Sequence, residues 1–152
     1  MLRNDRSQTA GEERMLVQLL DPDPILRDDS VRPSISPKRR IEGGNRCVYA
    51  WVENKKICAI VCVTWEFMIP QTEKDLFQSY WEWRDKAVLY SVWSYKKGSG
   101  SKLVQALVKK IQKEADRRII TMSPKTDMAR DFHLRNGAKV LQVNKTTVNY
   151  EY

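Results

Sequence analysis

A short run of glycine, serine and lysine residues from Lys96 to Lys102 has the composition of an anion-binding loop. Gly98 and Gly100 allow the backbone to bend tightly and to approach a ligand closely. Apolar residues at helical spacing follow, so the stretch includes the first N–H groups of a helix, which have no acceptor within that helix. With the helix dipole and the lysine charges, these groups predict a phosphate site. The alternative is a strand-to-helix connection whose glycines only make the turn.

Two regular elements are predicted to position this loop. Ala87 to Trp93 is rich in β-branched and aromatic residues and predicts a strand. Leu103, Leu107 and Ile111 recur on one side of the next segment, which predicts an amphipathic helix ending near Ala115. A strand, a glycine loop and a helix in this order are typical of a phosphate site built from backbone groups.

Length and composition limit the architecture. The chain has 152 residues, of which 41% are hydrophobic, and this predicts one domain over residues 1–152. Within it, residues 1–45 are expected to be irregular and residues 46–152 to form the core. No segment is apolar enough for a membrane span or a signal peptide, so we expect a cytoplasmic protein with no membrane partner. The three cysteines are expected to be structural, with no metal site.

The net charge of +8 indicates an anionic partner. A polyanionic cofactor such as coenzyme A, a nucleic acid and an acidic protein all fit that charge. The basic residues are scattered among 19 acidic ones and form no run of five, which argues against a nucleic acid. Trp51, Trp65 and Trp93 lie in strand-like runs and are expected in the core rather than on a base-stacking surface.

The remaining pattern predicts a mixed sheet with helices on both faces. The expected elements are a helix from Gly11 to Leu20, a hairpin of strands 46–53 and 57–67, a helix from Thr72 to about Arg84, the strand and helix around the glycine loop, a strand over 118–122, a helix from Thr126 to Gly137, and strands over 138–143 and 147–152. Asp21 to Arg40 carries four prolines and is expected to form an irregular wall beside a substrate.

The segment Tyr95-Lys96-Lys97-Gly98-Ser99-Gly100 resembles the pyrophosphate loop of the GNAT acyltransferase superfamily, Gln/Arg-x-x-Gly-x-Gly/Ala. Tyr95 stands where the family prefers Gln or Arg. The predicted order of elements over residues 45–152 is also similar to that of GNAT proteins. The resemblance implies an α/β (α+β) fold whose mixed, mostly antiparallel central sheet is flanked by helices and splayed between the fourth and fifth strands.

A second motif, from Ala129 to Ala138, resembles the A-x-x-[LF]-Y-x-x-x-G-[FA] helix of the same family. In the family this Tyr commonly protonates the thiolate of departing coenzyme A. His133, the only histidine of the chain, stands at that position. Histidine can supply a proton at neutral pH because its unperturbed pKa is about 6.5. The alternative is a capping or packed histidine near a helix end.

The phrase FHLRNGA, together with Ser123-Pro124, is similar to motifs of the malonyl-CoA decarboxylase branch of this superfamily. The matching serine and histidine are the catalytic pair of that branch, which implies Ser123 and His133 here. Only ten positions separate the two residues, so the branch's long insertion is absent. In compactness the chain resembles GNAT-like proteins of bacteriophages, which would place it in the host cytoplasm. The alternative for Ser123 is a cap on the helix that begins near Pro124.

Glu66 is a third catalytic candidate, because many GNAT enzymes keep a carboxylate near the end of the central strand that acts as a base through water. The alternative is a half-exposed glutamate at a strand end. The resemblance also implies that the strand, the loop and the second motif hold an acyl-coenzyme A. The residues expected to bind it are Tyr90, Val92, Trp93, Lys96, Lys97, Gly98, Ser99, Gly100, Ser101, Lys102 and Asn136.

Three functions follow from these observations. The first is transfer of an acyl group from acetyl-CoA to a small amine or a protein amine. The second is decarboxylation of malonyl-CoA by the Ser123 and His133 pair. The third is a non-catalytic role in binding coenzyme A or a protein, as in a viral GNAT-like protein. No metal cofactor is expected, and a homodimer is compatible with each function.

Overall fold

The computed structural model describes residues 13–78 and 84–152, which contain one mixed sheet. Its strands are β1 (Arg14–Leu19), β2 (Arg46–Glu53), β3 (Lys56–Glu66), β4 (Lys86–Ser94), β5 (Arg118–Thr121), β6 (Ser123–Pro124), β7 (Lys139–Val143) and β8 (Thr147–Glu151). They lie in the order β1-β2-β3-β4-β5-β8-β6, and β7 also pairs with β8. Only β4 and β5 are parallel among the described pairs. The predicted mixed, mostly antiparallel sheet is confirmed.

Three α-helices accompany the sheet in the described residues: α1 (Pro37–Ile41), α2 (Ser99–Glu114) and α3 (Asp127–Arg135). Short 3₁₀ turns lie at Pro24–Asp28 and Glu73–Asp75. The hydroxyl of Thr126 accepts a hydrogen bond from the N–H of Ala129, and Gly137 follows α3 with a φ of 101°. Thr126 and Gly137 mark the two ends of α3, as predicted. The threonine accepts from an N–H that has no acceptor within the helix, and the glycine adopts the left-handed conformation without strain.

Core side chains cover both faces of the sheet, which explains why β3 is apolar along nearly its whole length. The buried stripe of α2 packs on one face: Leu103, Val104, Leu107 and Ile111. The N-terminal segment covers the other face with Leu26 and Ile35, which join Leu76 and Phe77. The three tryptophans expected in the core are half-buried at its margins. All three cysteines are buried and free.

The hairpin of β2 and β3 turns at Asn54 and Lys55, whose φ angles are 53° and 68°. Two left-handed residues in a two-residue loop match the twist of the flanking strands. The predicted hairpin is therefore confirmed, with strand bounds within one residue of those expected.

β4 and the chain that follows β5 separate beyond the last residue of β5. The parallel pairing of β4 and β5 ends at Leu89 and Thr121, whereas β4 continues to Ser94. The register between β3 and β4 also shifts at this point: Cys62 faces Ser91 and Val63 faces Leu89. Tyr90 is thus an extra residue in β4, and such a bulge increases the local twist of a strand. The predicted splay lies between the fourth and fifth strands along the chain.

The helix expected from Gly11 to Leu20 is wrong over the described residues 13–20, which contain strand β1 instead. β1 pairs along its length with β2, from Arg14 opposite Glu53 to Leu19 opposite Val48. A six-residue segment has little helical stability of its own, so cross-strand pairing with β2 decides its structure. The N-terminal part is therefore not wholly irregular, because β1 belongs to the sheet.

The helix expected from Thr72 to Arg84 is also wrong over its described part. Only the 3₁₀ turn Glu73–Asp75 forms, although Asp75 does accept a hydrogen bond from the N–H of Thr72, as a capping residue would. Leu76 is extended, and Phe77 has a φ of 66°. Both side chains are buried in the core, so their burial outweighs continuation of the helix. Residues 79–83 of the expected helix lie outside the described residues.

Candidate functional site

The glycine loop precedes α2 in the way the sequence predicts. Gly98 is the N-cap of α2 with a φ of 86°, a left-handed conformation that favours glycine. The N–H of Ser99 donates to the carbonyl of Lys96, and the N–H of Lys102 donates to the carbonyl of Gly98. In the described part of the chain, the N–H groups of Gly100 and Ser101 have no acceptor. These two free donors lie at the positive end of the helix dipole.

The lysines of the loop are held by an acidic residue that the motif does not include. Glu53, at the end of β2, accepts hydrogen bonds from Lys96 Nζ at 2.7 Å and from Lys102 Nζ at 3.5 Å. Trp51 Nε1 donates to the same carboxylate at 2.9 Å. The hydrogen bonds from Lys96 and Trp51 lower the pKa of Glu53 to about 2, so the carboxylate is ionised at neutral pH. Lys97 is exposed beside them.

These residues fit an anionic group such as a pyrophosphate. Two unpaired N–H groups and three lysine side chains, two of them shared with Glu53, lie within seven consecutive residues. Packing also favours glycine at position 100, because a Cβ there would lie 3.3 Å from Cε1 of Phe132 on α3, a tight contact. The Oγ of Ser99 is buried and has no hydrogen-bond partner in the described chain, so it does not occupy the free N–H groups of the loop.

Asn136 connects the end of α3 to the start of α2. Its Nδ2 donates to the hydroxyl of Ser101 at 3.0 Å and to the carbonyl of Phe132 at 2.9 Å. Its Oδ1 accepts from Gln105 at 2.8 Å. Asn136 therefore lies beside the loop, where its side chain fixes α3 against the first turns of α2.

Tyr95, at the family's Gln/Arg position, lies against the N-terminal segment. Its hydroxyl donates to the carboxylate of Asp28 at 2.5 Å and accepts from Trp93 Nε1 at 2.9 Å. This hydroxyl is committed to two protein groups. The tyrosine thus links β4 to the 3₁₀ turn Pro24–Asp28.

The β4 residues expected to bind the cofactor alternate between the two cores. Val92 packs toward α2, and Trp93 packs toward the N-terminal segment. Tyr90 is 2% exposed, lies edge-on to Phe77, and has a hydroxyl without a partner in the described residues. Its side chain is core, and burial raises its pKa.

Arg32, which belongs to no sequence motif, crosses the gap between β4 and the residue that follows β5. Its Nε donates to the carbonyl of Tyr90 at 2.8 Å, and its Nη2 donates to the carbonyl of Met122 at 2.5 Å. One of the β4 carbonyls beside the expected cofactor position is therefore bonded to protein. No local pattern marks this arginine, which is separated from Tyr90 by 58 positions.

His133 is buried among aromatic side chains. It is 5% exposed, and its ring lies 5.2 Å from the ring of Tyr150. A hydrogen bond joins its Nδ1 to the hydroxyl of Tyr152 at 2.7 Å. Burial lowers the pKa of His133 to about 4, so the imidazole is neutral at pH 7. The packed environment is confirmed, and a catalytic role stays a prediction.

Ser123 is in strand β6 and does not cap a helix. The cap of α3 is Thr126, so the capping alternative for Ser123 is wrong. The hydroxyl of Ser123 donates to Thr121 Oγ1 at 2.8 Å, and Thr121 Oγ1 also accepts a hydrogen bond from the N–H of Tyr150. Ser123 and His133 share no hydrogen bond and are connected only indirectly, because Ser123 and Tyr150 both bond to Thr121 and the ring of Tyr150 lies against His133.

Glu66 is 1% exposed, so the alternative of a half-exposed glutamate is wrong. Thr64 and the N–H of Phe77 donate to its Oε2. Burial raises the pKa of this carboxyl group, which its hydrogen bonds partly offset. Glu66 thus anchors the segment that contains Phe77, and a role as a base stays a prediction.

Two general properties of the described residues bear on function. No group of three or more His, Cys, Asp or Glu side chains is placed to hold a metal ion in residues 13–78 and 84–152. In the same ranges, no helix has both the length and the apolar character that a bilayer crossing requires.

Sequence comparison finds no matching protein-family model and no matching curated protein. Solved structures do match. A malonyl-CoA decarboxylase from Cupriavidus metallidurans has a TM-score of 0.66 at 15% identity, over 91% of this chain and 60% of that one. A Bacillus subtilis acetyltransferase in complex with CoA has a TM-score of 0.63 at 10% identity, over 91% of this chain and 97% of that one.

The PaiA N-acetyltransferase from Thermoplasma acidophilum, in complex with coenzyme A, has a TM-score of 0.51 at 13% identity. The match covers 70% of this chain and 60% of that one, so the chain spans less than two thirds of both PaiA and the decarboxylase. At these identities the likeness shows the fold. The chain has a GNAT-like α/β fold, shared with acetyltransferases and with a domain of a malonyl-CoA decarboxylase.

Proposed function

We propose that this protein binds an acyl-coenzyme A and transfers its acyl group to an amine. The observation that supports this most directly is the position of the glycine loop. It follows the part of β4 that leaves β5, so free N–H groups, lysines and the gap in the sheet lie along one path. The pyrophosphate would be held by the loop from Lys96 to Ser101, and the pantetheine arm would lie beside β4.

The chain's own residues have separate parts in this proposal. Gly98 and Gly100 keep side chains away from the loop backbone, and Asn136 holds α3 beside it. Tyr152 has a pKa raised by burial, so its hydroxyl stays protonated and can donate to Nδ1 of His133. The proton of the neutral imidazole is then on Nε2. Of the residues expected to be catalytic, His133 is proposed to donate a hydrogen bond from this Nε2–H to the leaving thiolate. The proton that neutralises the thiolate is the one that the attacking amine loses as the amide forms.

Decarboxylation of a malonyl thioester is the second candidate. It is supported by the structural likeness to a malonyl-CoA decarboxylase and by a buried arginine that bonds to the carbonyl of Met122, the residue before Ser123. Release of carbon dioxide from malonyl-CoA without an amine would select this reaction. Amine-dependent release of thiol from acetyl-CoA would select the transferase. If neither thioester turns over, a role in binding alone is favoured.

Calorimetric titration with coenzyme A tests the binding part of the proposal. Gly100→Glu adds a carboxylate and a side chain that meets Phe132, so it should reduce the affinity at least tenfold. Lys109→Glu, on the exposed side of α2, is a control with a larger change of charge and should change the affinity much less. Equal affinities of the wild type and Gly100→Glu would remove the loop from the site.

A further inference from the structure

A buried cluster of charged residues lies where β4 and β5 diverge, and its charges do not cancel. Asp29, Arg32 and Arg40 are 3%, 6% and 0% exposed. Arg40 Nη1 pairs with Asp29 Oδ2 at 2.9 Å. Arg32 has no carboxylate within ion-pairing distance in the described chain, because the carboxylate of Asp29 bonds only to its backbone N–H. Two arginines therefore share one carboxylate.

Within the buried cluster no further group supplies the missing negative charge, and the exposed carboxylate of Glu73 acts on Arg32 only from beyond ion-pairing distance. Arg40 Nη1 also contacts Cys62 Sγ at 3.4 Å, but burial raises the pKa of this thiol to about 11, so it is neutral. Ser91 donates its hydroxyl proton to Asp29 at 2.5 Å and adds no charge. Arg32 itself bonds to two carbonyl oxygens. A buried cation that is held only by carbonyl dipoles is costly, and an anion beside it would offset the cost.

Space for such an anion exists beside Arg32. A cavity of about 530 Å³ is lined by Val31, Arg32, Thr72, Glu73, Lys74, Pro124, Thr146 and Thr147. Its volume is within the range of about 300–1,000 Å³ that is usual for ligand sites. Nη1 of Arg32 has no acceptor in the described residues, so the guanidinium retains donors for a carboxylate.

The charged groups around the cavity favour an anion. Lys74 adds a second cation, and Glu73 is an exposed carboxylate whose Oε1 accepts from Ser34 at 3.4 Å. The lining is positive overall because two cations face one carboxylate. Arg32, unlike Glu73, is buried, and its interaction with a ligand is therefore less screened by water.

We propose that Arg32 and this cavity bind a carboxylate of the substrate, next to the reacting thioester. The proposal rests on the proposed function, because only an acyl-coenzyme A in the gap between β4 and β5 would bring its acyl group close to Arg32. The carboxylate belongs either to an acidic acyl group or to an acceptor that carries both an amine and a carboxylate. In both cases Arg32 selects the substrate, and its guanidinium binds the carboxylate with charge-assisted hydrogen bonds.

The carboxylate site is tested without coenzyme A by nuclear magnetic resonance. Malonate, added to ¹⁵N-labelled protein, should shift the Nε–H of Arg32 and the backbone N–H of Thr147 with saturation, and neutral malonamide should not. Arg27→Gln removes an exposed arginine from the same segment and should leave the response unchanged. Arg32→Gln should abolish it. Absence of a saturable shift in the wild type, or an equal response to malonamide, overturns the site.

Arg32→Gln could fail to fold, because Arg32 also bridges two strands. Lys74→Gln is then the decisive variant, since Lys74 is exposed and lines the same cavity. It should weaken malonate binding about threefold or more and leave folding intact. Unchanged malonate binding by a folded Lys74→Gln would contradict the assignment.

Titrations with thioesters identify the source of the carboxylate. If it belongs to the acyl group, malonyl-CoA should bind about tenfold more tightly than acetyl-CoA, and Arg32→Gln should remove the difference without changing the affinity for coenzyme A. If it belongs to the acceptor, glycine and not glycinamide should accelerate thiol release from acetyl-CoA. No binding of any coenzyme A compound would overturn the proposed function, and the malonate titration would still decide the carboxylate site.

Discussion

For the single residue His133, burial determines the protonation state and therefore the chemistry that is open to it. The sequence motif suggests a histidine that titrates near neutrality, but its surroundings are the aromatic rings of Phe132, Tyr150 and Tyr152. Without a carboxylate partner, burial disfavours the imidazolium and lowers the pKa to about 4. At neutral pH the ring is therefore a hydrogen-bond donor and acceptor, and only a small fraction carries a charge.

Replacing His133 by alanine should lower the turnover of the acyl-CoA substrate by roughly two to four orders of magnitude. The Nε2–H that donates to the leaving sulfur would be lost, while the phosphate loop would be intact. The affinity for coenzyme A should consequently change little. Steady-state kinetics and calorimetry measure both quantities, with Met128→Ala, an exposed position on α3, as the control. A variant with normal turnover would show that His133 is a packing residue only.

The stability of the protein should also depend on the protonation of His133. Its folded pKa of about 4 lies below the ordinary value of 6.5, so the unfolded chain binds a proton more tightly. The neutral imidazole of the folded state therefore contributes stability that is fully present above pH 6.5. This contribution is lost as the pH falls toward 4, because the unfolded chain takes up the proton first. Between pH 7 and pH 5 the free energy of unfolding should decrease by about 2 kcal/mol from this group alone.

Urea unfolding of the wild type and of His133→Gln at both pH values measures this contribution. The chain has one histidine, so the difference between the two proteins isolates that residue. The variant should lack the decrease of about 2 kcal/mol. An equal decrease in both proteins would assign the pH dependence to other groups.

Pairing outweighs local pattern at the scale of an element, as β1 shows. Met15, Leu16, Leu19 and Leu20 have helical spacing, yet only Leu16 and Leu19 pack against the core. Met15 is 44% exposed and Leu20 is 72% exposed. The adjacent strand β2 offers a row of backbone partners, and a short segment with a β-branched residue pairs with it.

Leu19 and Leu20 should therefore differ sharply in their effect on stability. Leu19→Ala removes a partly buried side chain and should lower the free energy of unfolding by about 1–2 kcal/mol. Leu20→Ala removes an exposed one and should change it by less than about 0.5 kcal/mol. Denaturant titration compares the two variants. Equal losses would contradict the strand, because the helical stripe would bury both residues.

In the molecule as a whole, Arg40 connects the N-terminal segment to the sheet. Its guanidinium donates to the carbonyls of Ile35 and Arg32, to Asp29 and to Cys62 on β3. Asp29 in turn bonds to Ser91 on β4, and its pKa is lowered by Ser91 and Arg40 against the effect of burial. One wall of the proposed acyl site thus depends on a single buried arginine.

Arg40→Met should lower the free energy of unfolding by about 3–5 kcal/mol, because Asp29 would remain buried and ionised without its partner. Arg39→Met changes the neighbouring exposed arginine and should cost less than about 1 kcal/mol. Thermal or chemical unfolding of both variants gives the comparison. A loss below 1 kcal/mol for Arg40→Met would mean that water or a rearranged loop compensates Asp29.

The sequence by itself determined the elements that have strong local signals. Alternation, the Asn54-Lys55 turn, the Thr126 cap and Gly137 specify strands, hairpin and helix through interactions within a few residues. The loop with Gly98 at the N-terminus of α2 is local in the same sense, and its position was predictable. The residues proposed to bind the cofactor and to catalyse were identified by a motif, and their roles await experiment.

Only the tertiary structure decided that residues 14–19 form strand β1 and that the turn after Thr72 stops at Asp75. It also decided the surroundings of His133, Glu66 and Arg32. In each case the deciding partner is distant in the chain: Arg32 meets Tyr90 across 58 positions and Met122 across 90. Burial and the charge of neighbours set the pKa of a side chain and the cost of an unpaired cation, and both depend on the assembled sheet. No local spacing identifies those partners. For that reason the residue type alone could not decide whether Glu66 is half-exposed or buried, or whether His133 is charged or neutral.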